Sequence, residues 1–212
     1  HTCYSDGEKD EFEIIKEVIK NNVDEFCVCD HDTIEGSKCV NDVLNINSYN
    51  LKFHSGIELS CNYNGINMHL LYRDFDFDNE NLKYLINKIG VLRNQKKDKM
   101  VEYVENIYNE KLDRELLEKI ASTTKSFGKP HIYKILTINK EYDREEYYRN
   151  MDKLNTDEFK LNVVEVFEKL NDEKGYITLA HPIEIMKEYN YTYQDIDNLV
   201  FELIKLGLKG IE

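Results

Sequence analysis

Glu25-Phe26-Cys27-Val28-Cys29 is a short apolar run that stops abruptly at Asp30-His31-Asp32-Thr33. A run of this length, bounded by polar residues, reads as a buried strand. On its N-terminal side, residues 10–22 carry Phe12, Ile15, Val18 and Ile19 at helical spacing. On its C-terminal side, residues 51–60 form a second strand candidate. Residues 63–72 hold Asn64-Gly65 between Tyr63 and Ile66, the pattern of a hairpin with a two-residue type I′ turn. The first third of the chain therefore alternates helix and strand, and predicts an α/β domain.

The texture changes after Phe75. From residue 80 to about 174 the apolar residues recur with helical period and no convincing strand. Leu82, Leu85, Ile86, Ile89 and Leu92 make one stripe, which Met100, Val104 and Ile107 continue. Leu116, Leu117 and Ile120 begin another helix, and Val163, Val166, Phe167 and Leu170 mark a later one. Gly175 reads as the residue that ends a helix. Strand texture returns at Tyr176-Ile177-Thr178-Leu179-Ala180. A helix through Ile196, Leu199, Val200 and Leu203 follows, ending at Gly207, with a last strand over Leu208 to Glu212. The expected organisation is an α/β domain in two parts, 1–75 and 173–212, interrupted by a helical insertion over 76–172.

The charge balance, 28 − 41 = −13, argues against an extensive nucleic-acid surface, because phosphate backbones attract basic proteins. A local phosphate pocket remains compatible with it. With 33% charged residues, a mean hydropathy of −0.62 and no apolar run near 20 residues, no membrane partner is expected. The chain opens on His1-Thr2-Cys3, without the pattern of a signal peptide. All five cysteines fall in the first 61 residues, in an odd number and without a disulfide framework, which predicts a reduced, cytoplasmic protein. Cys27 and Cys29, two apart, share a face of their strand; small buried apolar residues are the leading reading, with a zinc site as the alternative.

The chemistry-bearing residues are the histidines. His31 and His181 each directly follow an apolar strand, where α/β proteins carry their sites. Both prolines adjoin a histidine, in Lys129-Pro130-His131 and His181-Pro182, and a proline fixes the local backbone. The hairpin adds geometry. With Asn64-Gly65 as its loop, Glu58 lies opposite Leu71 and His69 opposite Ser60. Glu58 and His69 then share one face as diagonal neighbours, about 7 Å apart at Cβ. That suits two ligands of one ion, or a metal-free hydrogen bond between acid and histidine. A donor set of imidazoles and carboxylates suits Mn²⁺, Fe²⁺ or Zn²⁺. No Gly-rich phosphate loop, Walker sequence or Gly-x-Ser-x-Gly elbow is present.

Four motifs in order resemble the PHP (polymerase and histidinol phosphatase) family: His1-Thr2-Cys3-Tyr4-Ser5-Asp6-Gly7; Asp30-His31-Asp32-Thr33; Gly56-Ile57-Glu58 with His69-Leu70; and Leu179-Ala180-His181-Pro182. Gly128-Lys129-Pro130-His131-Ile132, after a run of helices, resembles a branch of phosphoesterases acting on nucleotides, which usually has Arg where this chain has Lys129. The resemblance implies a distorted (β/α)7 TIM-like barrel with two or three divalent ions (Mn, Fe or Zn) at its mouth. It assigns His1 and Glu58 to a first metal and His69 and His181, with Glu58 bridging, to a second. Asp6 and His31 fall to a third, and Lys129 and His131 to substrate, with packing of the insertion against the barrel as the alternative for the last two. Asp30 and Asp32 are expected to orient His31 or cap its loop, and His54, which matches no motif, to be structural.

The implied reaction is hydrolysis of phosphate esters of nucleotides (nucleoside mono- or 3′,5′-bisphosphates, or short 5′-phosphorylated oligonucleotides) by a hydroxide bridging two metals. The family's first motif has a second His two residues before His1, and its last motif, an Asp and a His two residues apart, belongs after Glu212. The resemblance thus implies a chain trimmed at both ends. Two readings compete with nucleotide hydrolysis: a catalytically incomplete PHP-like module for regulation or assembly, and a histidinol-phosphatase-type enzyme. Arg73, after the hairpin, reads as a solvated surface residue, with a phosphate contact as the alternative.

Overall fold

A computed structural model of the chain describes residues 1–47, 49–123, 127–171 and 173–212. The elements run α1 (Glu11–Lys20), β1 (Glu25–Cys27), α2 (Glu35–Asn47), β2 (Lys52–His54), β3 (Gly56–Tyr63), β4 (Ile66–Arg73), α3 (Glu80–Tyr108), α4 (Arg114–Thr123), α5 (Lys129–Leu136), α6 (Arg144–Met151), a 3₁₀ turn (Asp157–Phe159), β5 (Leu161–Asn162), α7 (Val163–Leu170), β6 (Tyr176–Leu179), α8 (Pro182–Tyr189), α9 (Tyr193–Leu206) and β7 (Gly210–Ile211). They form two compact units, one of residues 1–89 with 160–212 and one of residues 90–159. No helix among the described residues is long and apolar enough to cross a membrane.

The first unit is built on a five-stranded mixed sheet in the order β5-β3-β4-β6-β7. Its centre is the hairpin β3–β4. Asn64 and Gly65 both take positive φ, 52° and 85°, as a type I′ turn requires. The register follows from that turn: Glu58 pairs with Leu71, and Ser60 with His69. β4 is antiparallel to both β3 and β6, while β5 and β7 join in parallel at the two edges. β1 and β2 make a separate parallel pair. The chain beyond β1 then touches β3: Asp32 N donates to Glu58 O (2.8 Å), and Glu58 N donates to Asp30 O (3.0 Å). A two-residue turn obliges β4 to run against β3, and an isolated parallel bridge between His31 and Glu58 joins the chain beyond β1 to β3.

Val40 and Leu44 of α2 pack with Ile15 of α1 and with Val28, and α7 buries Val163, Val166, Phe167 and Leu170. Lys88 on α3 meets both oxygens of Glu165 on α7 at 2.6 Å. These contacts place the start of α3, and α7, in the sheet unit, so that unit extends inward of the expected boundaries at 76 and 172; residue 172 itself lies outside the described residues. Three local readings are corrected. Gly175 does not end a helix: α7 stops at Leu170 with Asn171 as its cap. Gly175 instead takes φ +119° beside β4, where an added Cβ would lie 2.5 Å from Arg73 O. β5 lies within the stretch read as purely helical; two residues are too few to show a strand's period. Arg73 is not a solvated residue, for its guanidinium lies 4.8 Å from the Tyr176 ring and its Nε is buried.

The second unit is helical. Met100, Val101 and Val104 of α3, Leu117 of α4, Ile132, Ile135 and Leu136 of α5, and Tyr147 and Met151 of α6 form its core. α5 and α6 escape the periodicity argument because each is only two turns long. Both prolines sit at helix starts, Pro130 in the first turn of α5 and Pro182 at the head of α8, where their missing N–H costs nothing.

Candidate metal centre

Glu58 is 3% exposed, in the middle of β3. A buried carboxylate needs partners, and its two oxygens have different ones. Oε2 lies 2.8 Å from His1 Nε2 and 3.8 Å from His31 Nδ1. Oε1 lies 2.8 Å from His69 Nδ1 and 3.0 Å from His181 Nε2. The pairing that places His69 beside Glu58 is the diagonal one set by the Asn64-Gly65 register. His181 arrives from the neighbouring β6, whose antiparallel pairing with β4 brings Ala180 N to His69 O (3.0 Å).

The four imidazoles form a row, with ring centroids 4.4 Å apart for His1–His31, 4.8 Å for His31–His69 and 5.1 Å for His69–His181. Asp6 closes one end, with Oδ1 2.7 Å from His1 Nδ1 and Oδ2 3.8 Å from His31 Nε2. His1, Asp6 and His31 make one group of donor atoms within 4.8 Å of one another, and His31, Glu58 and His69 make a second. His31 thus stands between two groups, whereas the resemblance assigned it to the peripheral ion alone.

The segment carrying His1 and Asp6 is held by Asp30, which is fully buried. Its Oδ1 accepts from Thr2 N (2.6 Å) and Ser5 Oγ (2.6 Å), and its Oδ2 from Thr2 Oγ1 (2.7 Å). Asp32 instead ties its loop to β3, accepting from Ser60 N at 2.8 Å. Asp32 thus fastens the His31 loop, whereas the side chain of Asp30 serves the His1–Asp6 segment instead. His54 bridges Glu25, 2.6 Å from Nε2, and Asp74, on Nδ1.

Backbone strain marks the same place. His181 caps α8 with φ 29° and ψ 60°, and Asp32 has φ 56°. Positive φ is uncommon for residues other than glycine, and a residue before proline is pushed toward extended conformations. The surroundings must hold His181 in this conformation. Glu184, one turn into α8, was not anticipated: its Oε2 approaches the buried His181 Nδ1 at 3.2 Å, out of hydrogen-bond alignment. The signal for it is the three-residue spacing from His181 on a helix.

Burial pushes the Glu58 pKa up, but hydrogen bonds from His69 and His181 and the charge of His31 hold it below the ordinary carboxylate range. His181 is opposed by burial and raised overall, chiefly by its hydrogen bond to Glu58 and the charge of Glu184. A cavity of about 90 Å³ adjoins the centre, bordered by His69, His181, Glu184 and Lys160.

Of the two residues expected to meet substrate, both belong to the helical unit. Lys129 Nζ lies 2.6 Å from Asp152 Oδ1. His131 Nδ1 accepts from Gly128 N at 3.1 Å, closing the start of α5, and its ring stacks on Phe127. Their partners here are structural.

The donor set fits divalent cations. His69 Nδ1 and His181 Nε2 face each other at 3.2 Å while both also approach Glu58 Oε1. Converging lone pairs of this kind suit a cation, and the imidazole-carboxylate chemistry suits Mn²⁺, Fe²⁺ or Zn²⁺. No protein-family model and no curated protein matches the chain by sequence. Solved structures share its fold, two of them as follows. One is a candidate metal-dependent phosphoesterase from Bifidobacterium adolescentis, 18% identical with a TM-score of 0.66; the match covers 100% of this chain and 74% of that one. The other is an amidohydrolase from Chromobacterium violaceum with sulfate bound and no metal, 16% identical with a TM-score of 0.69 and the same coverage.

Proposed function

We propose that the protein is a metal-dependent hydrolase of phosphate esters, of the PHP type, acting on nucleotides such as nucleoside mono- or 3′,5′-bisphosphates and short 5′-phosphorylated oligonucleotides. The observation that carries this reading is the division of the Glu58 carboxylate between His1 on one oxygen and His69 with His181 on the other. A buried carboxylate so placed suits bridging between two cations. Both structural neighbours are named as hydrolases, one of them for phosphoesters.

His1, Asp6 and His31 would hold one ion and His69 and His181 another, with Glu58 shared between them and His31 within reach of both groups. Divalent ions there would supply positive charge for phosphate oxygens and acidify water near neutral pH. The chain's own residues do the rest. The sheet fixes Glu58, His69 and His181 in one orientation. Glu184 stands behind His181, as a carboxylate commonly stands behind a ligating imidazole. Lys160, at the rim of the adjoining cavity, offers a cation to a phosphate held against His69 and His181. Electrostatic neutralisation of this kind is the main requirement in phosphoryl transfer.

The test is to load the protein with Mn²⁺ and assay nucleoside 5′-monophosphates, 3′,5′-bisphosphates, short 5′-phosphorylated oligonucleotides and histidinol phosphate beside simple N-acyl amides. Phosphate release from a nucleotide that stops on chelation supports the proposal. Turnover of amides alone would transfer the site to amide hydrolysis, and uptake of metal without any turnover would favour a binding module.

A further inference from the structure

A cavity of about 380 Å³ opens wholly within the helical unit, lined by residues of two segments, 110–113 and 135–142. Its volume falls in the range of small-molecule sites. The apolar part of the lining is Leu112, Ile135, Leu136 and Ile138. The first three are buried, whereas Ile138 is 55% exposed. That isoleucine leaves apolar surface for a guest to cover.

The polar lining decides the sign of the guest. Lys111 is taken by Glu105: its Nζ lies 3.0 Å from Oε2, which Arg114 also meets at 2.8 Å. Lys140 Nζ stands over the Tyr142 ring, 4.9 Å from its centroid, and 3.6 Å from Glu110 Oε1. Tyr142 Oη donates to the same oxygen at 2.9 Å. Tyr142 is also fixed from other sides. Tyr133 Oη donates to its carbonyl (2.7 Å), and Tyr108 packs edge-on against its ring, with centroids 4.9 Å apart. A carboxylate and an aromatic face are thus held together around one ammonium. Asp113 adds a second carboxylate, of which Oδ1 caps α4 through Leu116 N at 3.0 Å. α5 ends at Leu136 in the cavity wall, and Glu110 follows the end of α3 by two residues. Helix C-termini carry partial negative charge.

We propose that this cavity binds a small organic cation, an ammonium or amidinium carried on a hydrocarbon body. The cation takes the place of the Lys140 ammonium between Glu110 and the Tyr142 ring, and the body covers Leu112, Ile135, Leu136 and Ile138. Lys140 is then the tethered occupant of a site built for positive charge. Its side chain is 63% exposed, so its release into water costs little. A neutral guest of the same shape gains only the apolar contacts. An anion meets Glu110, Asp113 and the helix ends. None of the lining residues belongs to the donor groups of the metal centre. The inference therefore stands apart from the proposed hydrolase activity, and its test needs neither metal nor substrate.

The experiment titrates the intact, metal-free protein with phenethylamine, beside phenethyl alcohol and hydrocinnamate as its neutral and anionic counterparts. Calorimetry gives the affinities, and amide NMR shifts locate the site. Saturable binding of the amine is expected, with shifts at residues 110–113 and 135–142. The amine should bind about 5-fold or more tighter than the alcohol, and hydrocinnamate should not saturate. Glu110→Gln should weaken the amine about 10-fold. Lys140→Ala, which removes the tethered competitor, should tighten it about 2- to 5-fold, the scale of an exposed ion pair. No saturation by the amine up to about 10 mM would overturn the proposal. So would equal affinity for amine and alcohol, weaker binding in Lys140→Ala, or shifts confined to the metal centre.

Discussion

His181 Nε2 lies 3.0 Å from Glu58 Oε1 although 123 positions separate them in the chain. The contact is made by two strand pairings in series. β3 pairs with β4 through the Asn64-Gly65 turn, and β4 pairs with β6 so that Leu70 stands opposite Leu179. His181 follows the end of β6 and turns sharply into α8. A carboxylate buried in the central hairpin thus receives imidazoles from elements on both sides of it.

Replacing Glu58 by Gln keeps the shape but removes the charge that the surrounding histidines share. Mn²⁺ uptake, followed by calorimetry or by the electron paramagnetic signal, should fall by more than about 100-fold, beyond the 10–100-fold typical of residues that only support ligands. Hydrolysis should fall with it. Native secondary structure with unchanged metal affinity in Glu58→Gln would refute the assignment of Glu58 to the centre. Asp6→Asn should be milder, because Asp6 reaches only His1 and His31.

Asp30 touches none of the proposed ions, yet Asp30→Asn should weaken the His1–Asp6 end of the centre. An amide cannot accept all three of the hydrogen bonds that this buried carboxylate takes from Thr2 and Ser5. A loss of about 1–3 kcal/mol in unfolding free energy is expected. Metal titration should lose the step belonging to His1 and Asp6 while keeping the one at His69 and His181. Equal loss of both steps would show that Asp30 supports the whole sheet unit.

His54 sets a pH dependence. Its pKa is raised by the hydrogen bond to Asp74, opposed by burial and helped by Glu25. A raised folded-state pKa contributes stability that is fully present below the unfolded value of about 6.5 and is lost as pH rises through the folded one. The difference in melting temperature between the wild type and His54→Gln should therefore shrink from mildly acidic to mildly alkaline pH. A difference that stays constant with pH would show that His54 contributes by packing rather than by charge.

Lys129→Ala separates the structural and substrate readings of that residue. Loss of the exposed pair with Asp152 should cost at most about 1 kcal/mol. If Lys129 also meets a substrate phosphate, kcat/KM should fall roughly 10- to 100-fold, with metal content unchanged and with rescue by Lys129→Arg. Unaltered kinetics on every cleaved substrate would leave Lys129 with Asp152 alone.

The hairpin at the heart of the site was legible because its register depends on local chemistry. A two-residue turn fixes the pairing, and the period of two then places Glu58 and His69 on one face. The end of α9 was legible for a similar reason: Gly207 takes φ +120° after Leu206. What was hidden depends on contacts distant in sequence. Asp30 looked like a companion of His31, but its partners Thr2 and Ser5 lie 28 and 25 positions away. Gly175 mimicked a helix end because glycine serves both a cap and a close approach, and only the position of Arg73 O distinguishes them. The two residues of β5 carry no periodic signal, and their partners Cys61 and Asn62 lie far away in the sequence.

The Asp30 clamp divides the centre into parts of unequal stiffness. Glu58 and His69 sit on hydrogen-bonded strands and His181 at the end of a third, so their arrangement is inherited from the sheet. His1 and Asp6 ride on a short loop that three hydrogen bonds to one carboxylate keep in place. The sheet-borne donors should accept a first ion with little rearrangement, and the loop-borne donors should follow, at a cost set by the clamp. Occupancy would then be ordered, and the affinity of the second step could be retuned through Thr2, Ser5 or Asp30 without disturbing the strands that hold the first.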